Sequence, residues 1–209
     1  MIRVLIADDH ALLRRGLKDV LMREITDVLC DEAQDAPQAL EKVRSQHWDL
    51  MILDVSMPGR SGLDALRDLK QLRPNLPVLV LSMYPEEQFG RRVLKAGASG
   101  YMTKESATEE LIKAVRKALA GGRYVSPALA EKLAVELTVG TEFPHERLSD
   151  RELEVLRKIA SGKTVSEIAD DLHVAITTVS TYRVRILEKL GLNKTAELIR
   201  YAIDNHLAD

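Results

Sequence analysis

A chain of 209 residues, 45% hydrophobic and 30% charged, has the balance of a soluble globular protein of one or two domains, with enough length to bury a sizeable core. Its formal net charge of −2 excludes broad adhesion to nucleic acid but leaves room for a local basic face. No apolar run approaches bilayer length, Asp8 and Asp9 stand where a signal peptide stays apolar, and the single cysteine, Cys30, has no partner for an internal disulfide. A cytoplasmic protein with no membrane contact is expected.

The first 120 or so residues alternate apolar runs with amphipathic stretches. Residues 2–7, 27–33, 50–53, 78–81 and 100–102 are short apolar runs, the pattern of strands buried on both faces. Residues 12–22, 37–43, 63–72, 86–96 and 109–119 carry apolar side chains at helical spacing. Five β-α pairs in series predict a parallel sheet covered by helices on both sides, with any site at the carboxyl ends of the strands. After Gly121 and Gly122 the pattern changes. Residues 127–137 form one expected helix, begun by Pro127, and residues 138–147, with Gly140 and Pro144, a linker. From Leu148 onward only helices are expected: residues 148–160, 165–172, 175–190 and 195–207. Ser149 with Glu152 makes a capping-box pattern, and Gly162 and Gly191 sit where helix C-terminal caps belong. The domains are therefore drawn at residues 1–122, a helical linker at 123–146, and a helical domain at 147–209.

Four of the five strand ends carry polar chemistry. Asp8 and Asp9 follow the first strand, Asp54 the third, Ser82 the fourth and Lys104 the fifth. Strands one and three are neighbours in a flavodoxin-like order, so the three acids would converge. Carboxylates held together repel one another and favour a hard cation with oxygen ligands, for which Mg²⁺ is suited; it would also neutralise charge on a phosphoryl group in transfer. Ser82 and Lys104 offer a hydroxyl and a cation to phosphoryl oxygens. His10, beside the acids, is read as the start of the first helix rather than a ligand.

Asp8-Asp9, the stretch from Asp54 through Met57 and Pro58 to Gly62, Leu81-Ser82 and the stretch from Gly100 to Lys104 resemble the receiver domains of two-component response regulators. The resemblance covers about residues 1–122. It implies that Asp54 accepts a phosphoryl group from a phosphohistidine on a sensor histidine kinase. It implies that Asp9, Asp54 and the backbone carbonyl of Ser56 hold Mg²⁺, with Asp8 helping through water. It further implies that Lys104 pairs with the phosphoryl group while Ser82 and Tyr101 rearrange as a switch. A carboxylate is a competent nucleophile toward phosphorus, and the added group carries roughly −1.5 to −2 charges able to draw Ser82 and Lys104 into a second arrangement. The chain departs from many receivers in having Glu105, not proline, after the lysine.

In the C-terminal part a short helix, a tight turn and a longer helix make a helix-turn-helix, whose second helix enters the major groove. Around residues 175–190, Val179, Ile186 and Leu190 share one side, with Tyr182 and Leu187 at its margins. Thr177, Ser180, Thr181, Val184, Arg185 and Glu188 share the other, a set of hydroxyls, an apolar group and a cation suited to base edges. Arg183, Lys163, Lys189 and Lys194 are placed to reach phosphates, and residues 173–200 carry a local +3, five cations against two acids. Residues 148–156, Ile168-Ala169, 178–182 and 189–192 resemble the LuxR-type helix-turn-helix, over about residues 147–207. With the receiver this is the layout of the NarL/FixJ family. Many members carry a cation where this chain has Ser180 and a histidine where it has Tyr182, so specificity is expected to differ. The resemblance also implies a homodimer on double-stranded DNA, paired through the helix of residues 195–207 and through receiver surfaces.

Two other readings compete. A magnesium-dependent phosphatase with Asp54 as nucleophile would want an acid two residues on, where Ser56 stands, and lacks a ready proton donor. The chain is thus expected not to be an enzyme, beyond slow loss of its own phosphoryl group. A regulator working without phosphate would not need the acidic pocket.

Overall fold

The computed structural model describes residues 1–57, 62–139, 143–205 and 207. The chain divides into two compact units, Met1–Thr138 and Val139–Asp209.

In the first unit strands β1 (Ile2–Ala7), β2 (Val28–Ala33), β3 (Leu50–Asp54), β4 (Val78–Ser82) and β5 (Gly100–Thr103) alternate with helices α1 (Ala11–Glu24), α2 (Ala36–Ser45), α3 (Gly62–Leu72), α4 (Glu86–Lys95) and α5 (Ala107–Leu119). All pairings are parallel, in the order β2-β1-β3-β4-β5, the flavodoxin-like arrangement expected. The central strands β3 and β4 are buried throughout and apolar up to their last residue because both faces are covered, whereas β2, at the sheet edge, carries Asp31 and Glu32. Val4, Ile6, Leu50, Ile52, Leu79, Leu81 and Met102 pack with Leu17 and Leu21 of α1 and with Leu111, Ala114, Val115 and Ala118 of α5. Leu5, Met51, Leu53, Val78 and Val80 alternate with them and are buried on the other face; each large aliphatic buried contributes about 1.5–3 kcal/mol, so packing on the two faces holds the strand ends in fixed register. Ala7 lies opposite Leu53, Asp54 opposite Leu81, and Ser82 opposite Thr103.

Several boundaries differ from expectation. β3 and β4 each run one residue further, so Asp54 and Ser82 are the last strand residues rather than the first loop residues. Their backbones stay in the ladder because one neighbouring strand extends as far, Asp54 pairing with Leu81 of β4 and Ser82 with Thr103 of β5. Asp27, expected to open β2, instead has φ 57 and turns the chain into the strand, while its carbonyl accepts from the amide of Ile2 at 2.7 Å. Helix α6 (Pro127–Val139), reckoned with the linker from sequence, clusters with the first unit. The segment before it runs along β5: the Tyr124 amide donates to the Ser99 carbonyl at 2.7 Å, and Leu129 is buried over Gly90 of α4. Of the expected linker, residues 140–142 lie outside the described residues, and Pro144–Arg147 forms a single 3-10 turn.

The second unit is all helical: α7 (Asp150–Ala160), α8 (Val165–Leu172), α9 (Ile176–Leu190) and α10 (Thr195–Asp204). Ser149 caps α7 and Thr164 caps α8, each in a reciprocal capping box with Glu152 and Glu167. Gly162 and Gly191 end their helices in the left-handed region. Leu153, Leu156, Ile159, Ile168, Leu172, Val179, Ile186, Leu198 and Ala202 form the core. The last helix stops at Asp204, short of Leu207, which is nevertheless buried and donates its amide to Ala202.

Candidate functional site

The carboxyl ends of β1, β3, β4 and β5 bring the polar residues of the first unit together. Asp8, Asp54 and Ser82 are fully buried. Lys104 places its Nζ 2.7 Å from Asp54 Oδ2 and 2.9 Å from Asp8 Oδ2, closing a buried triad of one cation and two acids. The Ser56 amide donates to Asp54 Oδ1 at 2.7 Å, which turns the backbone at Ser56 toward the carboxylate; Ser56 Oγ is buried with no hydrogen-bond partner among the described residues. Asp9 is exposed at the rim with His10, whose Nδ1 lies 2.7 Å from Asp9 Oδ1 and 3.2 Å from Asp8 Oδ1. Arg14 holds the Asp8 carbonyl at 2.6 Å. Residues 58–61 of the motif that follows Asp54 lie outside the described residues.

The electrostatics follow from that burial. Desolvation, with the charge of Asp8, pushes the Asp54 carboxyl above its ordinary value, against the opposing pull of Lys104 and the Ser56 amide. For Lys104 desolvation disfavours the charge, but the hydrogen bonds and charges of Asp54 and Asp8 outweigh it and raise its pKa. The pocket therefore holds one ammonium against a carboxylate excess. Asp8, Asp9, His10 and Asp54 each offer a ligand atom within 4.8 Å of one another, a spacing open to a metal ion. Three of the four are carboxylates, a donor set that fits a hard cation such as Mg²⁺.

Ser82 and Tyr101 converge on one backbone residue. Ser82 Oγ accepts from the Tyr84 amide at 3.1 Å, and the Tyr101 hydroxyl, on a side chain only 1% exposed, donates to the Tyr84 carbonyl at 2.7 Å. The loop after β4 is thus gripped from both sides, and Tyr84 stacks on Phe89 of α4 at 4.9 Å. Sequence reasoning passed over Tyr84. Its part is played by main-chain groups, which leave no side-chain signal.

In the second unit His173 (φ 52) turns the chain from α8 into α9. Thr177, Thr181, Val184 and Arg185 are exposed on α9, Ser180 and Arg183 half-buried, and Val179 and Ile186 fully buried on the opposite side. Lys194 is exposed at the start of α10. Two of the expected phosphate-reaching lysines are engaged within the unit: Lys189 bonds Glu152 at 2.6 Å and Lys163 bonds Asp171 at 2.6 Å. Asp171 also takes Lys158 at 2.9 Å, and these two lysines hold its carboxyl down at about 2. Sequence reasoning missed Ile176, a large aliphatic left exposed at the first turn of α9.

Comparison with known proteins gives a consistent result for both units. A family model for the response regulator receiver domain matches residues 4–116, and a model for the luxR family of bacterial regulatory proteins matches residues 146–202. The chain is 36% identical to response regulator GacA of Pseudomonas aeruginosa, covering 100% of this chain and 99% of the relative. It is 37% identical to oxygen regulatory protein NreC of Staphylococcus carnosus, covering 99% of each. Among solved structures, RcsB of Salmonella typhimurium, described for its conformational dynamism in DNA interaction, aligns with a TM-score of 0.69 and 30% identity over 96% of each chain. RcsB of Salmonella enterica serovar Typhimurium bound to promoter rprA in the presence of phosphomimetic BeF3⁻ aligns with a TM-score of 0.65 and 30% identity, over 96% of this chain and 98% of that one.

Proposed function

The chain belongs to the NarL/FixJ-type response regulators, a receiver domain joined to a luxR-type helix-turn-helix, and on that premise we propose that phosphorylation of Asp54 controls its binding to promoter DNA. The observation that carries this reading is the position of Asp54: a fully buried carboxylate at a strand end, bonded to Lys104 and flanked by Asp8.

An Asp54 oxygen attacks the phosphorus of a phosphohistidine on the sensor kinase. The phosphorus–nitrogen bond breaks, its electron pair returns to the imidazole, and an aspartyl phosphate forms. Asp8, Asp9, Asp54 and the Ser56 carbonyl would hold Mg²⁺, which when bound offsets the charge of the phosphoryl oxygens. Lys104, already 2.7 Å from Asp54, moves its donors to a phosphoryl oxygen. The Ser82 hydroxyl turns to the same group and releases the Tyr84 amide. The Tyr101 side chain then follows the space that opens, and the loop leading to α4 settles in a second arrangement. This is a population shift between two states of one fold. The phosphoryl group is lost again only slowly by hydrolysis; the protein turns over no other substrate and works in the cytoplasm. No helix among the described residues is long and apolar enough to cross a membrane.

In the shifted state two copies pair, through the exposed stripe of α10 that includes Ala196 and Ile203 and through receiver surfaces, and place two α9 helices on adjacent half-sites. Linking two half-site contacts raises the effective concentration of the second. The solved complex of RcsB with promoter rprA and BeF3⁻ supports this reading by likeness.

The test measures oligomeric state and binding to a promoter library, with Mg²⁺ and at stated salt, before and after a small phosphoryl donor. Wild type is compared with Asp54→Ala. A rise in dimer content and affinity confined to wild type is expected; equal binding by both proteins under both conditions overturns the proposal.

A further inference from the structure

The solvent face of α9 is unusually apolar for a helix flanked by cations. Ile176, in the first turn at the margin of the core side, is 53% exposed and Val184 48% exposed, whereas Val179 and Ile186 are completely buried. The two exposed aliphatics are eight residues apart, about 12 Å along the axis, or three to four base-pair steps of about 3.4 Å. Ser180 stands between them in the same row, and beside Val184 lies Thr181, whose hydroxyl donates to the Thr177 carbonyl one turn back at 2.9 Å. With its proton committed to the backbone, what Thr181 chiefly presents outward is its methyl group. The exposed face thus carries Ile176, the Thr181 methyl and Val184, with Thr177, Ser180, Arg185 and Glu188 around them. It has no Asn or Gln for adenine and no Lys for guanine; Arg185 is its central cation.

Charge complementarity identifies what covers this stripe. Arg183 and Arg185 of α9 have no carboxylate partner among the described residues, and Lys194 is exposed just beyond the helix. Cations beside an apolar strip match phosphates flanking the floor of a major groove. The apolar groups that the floor of a major groove offers are the 5-methyl groups of thymine.

We infer that α9 reads thymine methyl groups through Ile176, Thr181 and Val184, so that each half-site is rich in A·T pairs with thymines beneath these side chains. This rests on the reading that α9 enters the major groove, and it names the base chemistry recognised there.

The test uses the full-length phosphorylated chain. A duplex enriched from a random library is compared, at one salt concentration, with the same duplex in which deoxyuridine replaces thymidine. The exchange removes only the methyl groups and keeps base pairing. Affinity should fall about fourfold for each contacted methyl, as expected for losing one buried carbon. Val184→Ala and Ile176→Ala should shrink the difference between the two duplexes. Thr181→Val, which keeps a methyl, should preserve it, and Thr181→Ser should reduce it. Lys194→Ala should weaken both duplexes alike. Tight, selective binding that is unchanged by deoxyuridine overturns the methyl reading while leaving groove entry intact. If no duplex is enriched at all, the underlying DNA-binding reading fails, and this inference with it.

Discussion

Lys104 is the residue on which the receiver pocket balances. Its ammonium, 9% exposed, is the cation bonded to two fully buried carboxylates, Asp54 and Asp8. Breaking such a buried arrangement typically costs about 3–5 kcal/mol, because the remaining charges stay unpaired in a poorly solvated site. Lys104→Met should therefore lower the denaturant midpoint of the metal-free protein by a corresponding amount and abolish the DNA response to a phosphoryl donor. Added Mg²⁺ should recover part of the stability but none of the response. Glu152 gives a second residue-scale expectation. Burial works to raise its pKa, but the Lys189 ammonium and the amide and hydroxyl of Ser149 prevail and hold the carboxyl below 4.5. A carboxylate with a depressed folded-state pKa contributes stability that is complete above its unfolded value and is lost as the pH falls through the folded value. The protection factors of amides in α7 and α9, corrected for the slower intrinsic exchange in acid, should accordingly fall as the pH drops below about 4.5. Glu152→Gln should flatten that dependence, and an unchanged profile in the variant would assign the acid sensitivity to other groups.

At the scale of elements, close backbone approach decides more than helix propensity. A Cβ at Gly62, in the first turn of α3, would stand 2.1 Å from Val55 Cα and 2.5 Å from its carbonyl oxygen. Val55 follows Asp54 directly, so α3 is seated against the very backbone that carries the proposed acceptor. Gly62→Ala should cost about 1–3 kcal/mol, the range for forced overpacking. It should also slow phosphorylation of Asp54, because the clash is relieved by displacing the Val55 backbone or α3 from one another beside the carboxylate. Denaturant unfolding and a phosphorylation time course would check both. The strand and helix pattern was legible in the sequence, since alternation and helical spacing reflect burial within a few residues of chain. The strand ends were less so: β3 and β4 take in Asp54 and Ser82 because neighbouring strands continue beside them. The return of residues near Tyr124 along β5, and the seating of Leu129 over Gly90, left no local mark at all.

For the whole molecule, two compact units imply that ligands of one act on that one first. Mg²⁺ at about 100 times its dissociation constant should stabilise the first unit by about 2.7 kcal/mol. Amide protection should rise in β1 and β3 while α7–α10 remain unchanged without a phosphoryl donor. Asp9→Asn should weaken the effect, since Asp9 brings one of the ligand atoms gathered within 4.8 Å. Protection rising equally in both units would show that the metal alone engages the second.

The amino-acid sequence by itself determined the class of each unit, the order of elements, the helix caps at Ser149, Gly162 and Gly191, and that α9 turns Val179 and Ile186 to the core and Thr177, Thr181, Val184 and Arg185 to solvent, while Ser180 and Leu190, expected on opposite sides, are both half-buried. Each is written in residues close together in the chain, where periodicity and capping chemistry act. It also placed acids, a hydroxyl and a lysine at strand ends, because parallel β-α repeats bring those ends to one edge. Only the tertiary structure decided what those groups touch. Lys104 meets Asp54 across 50 positions of sequence, and Ser82 and Tyr101 meet on the main chain of Tyr84. Lys189 turns to Glu152 and Lys163 to Asp171, rather than standing free as their local sequence suggests. Such contacts depend on packing between distant elements and often on backbone atoms that every residue shares. No local pattern encodes them.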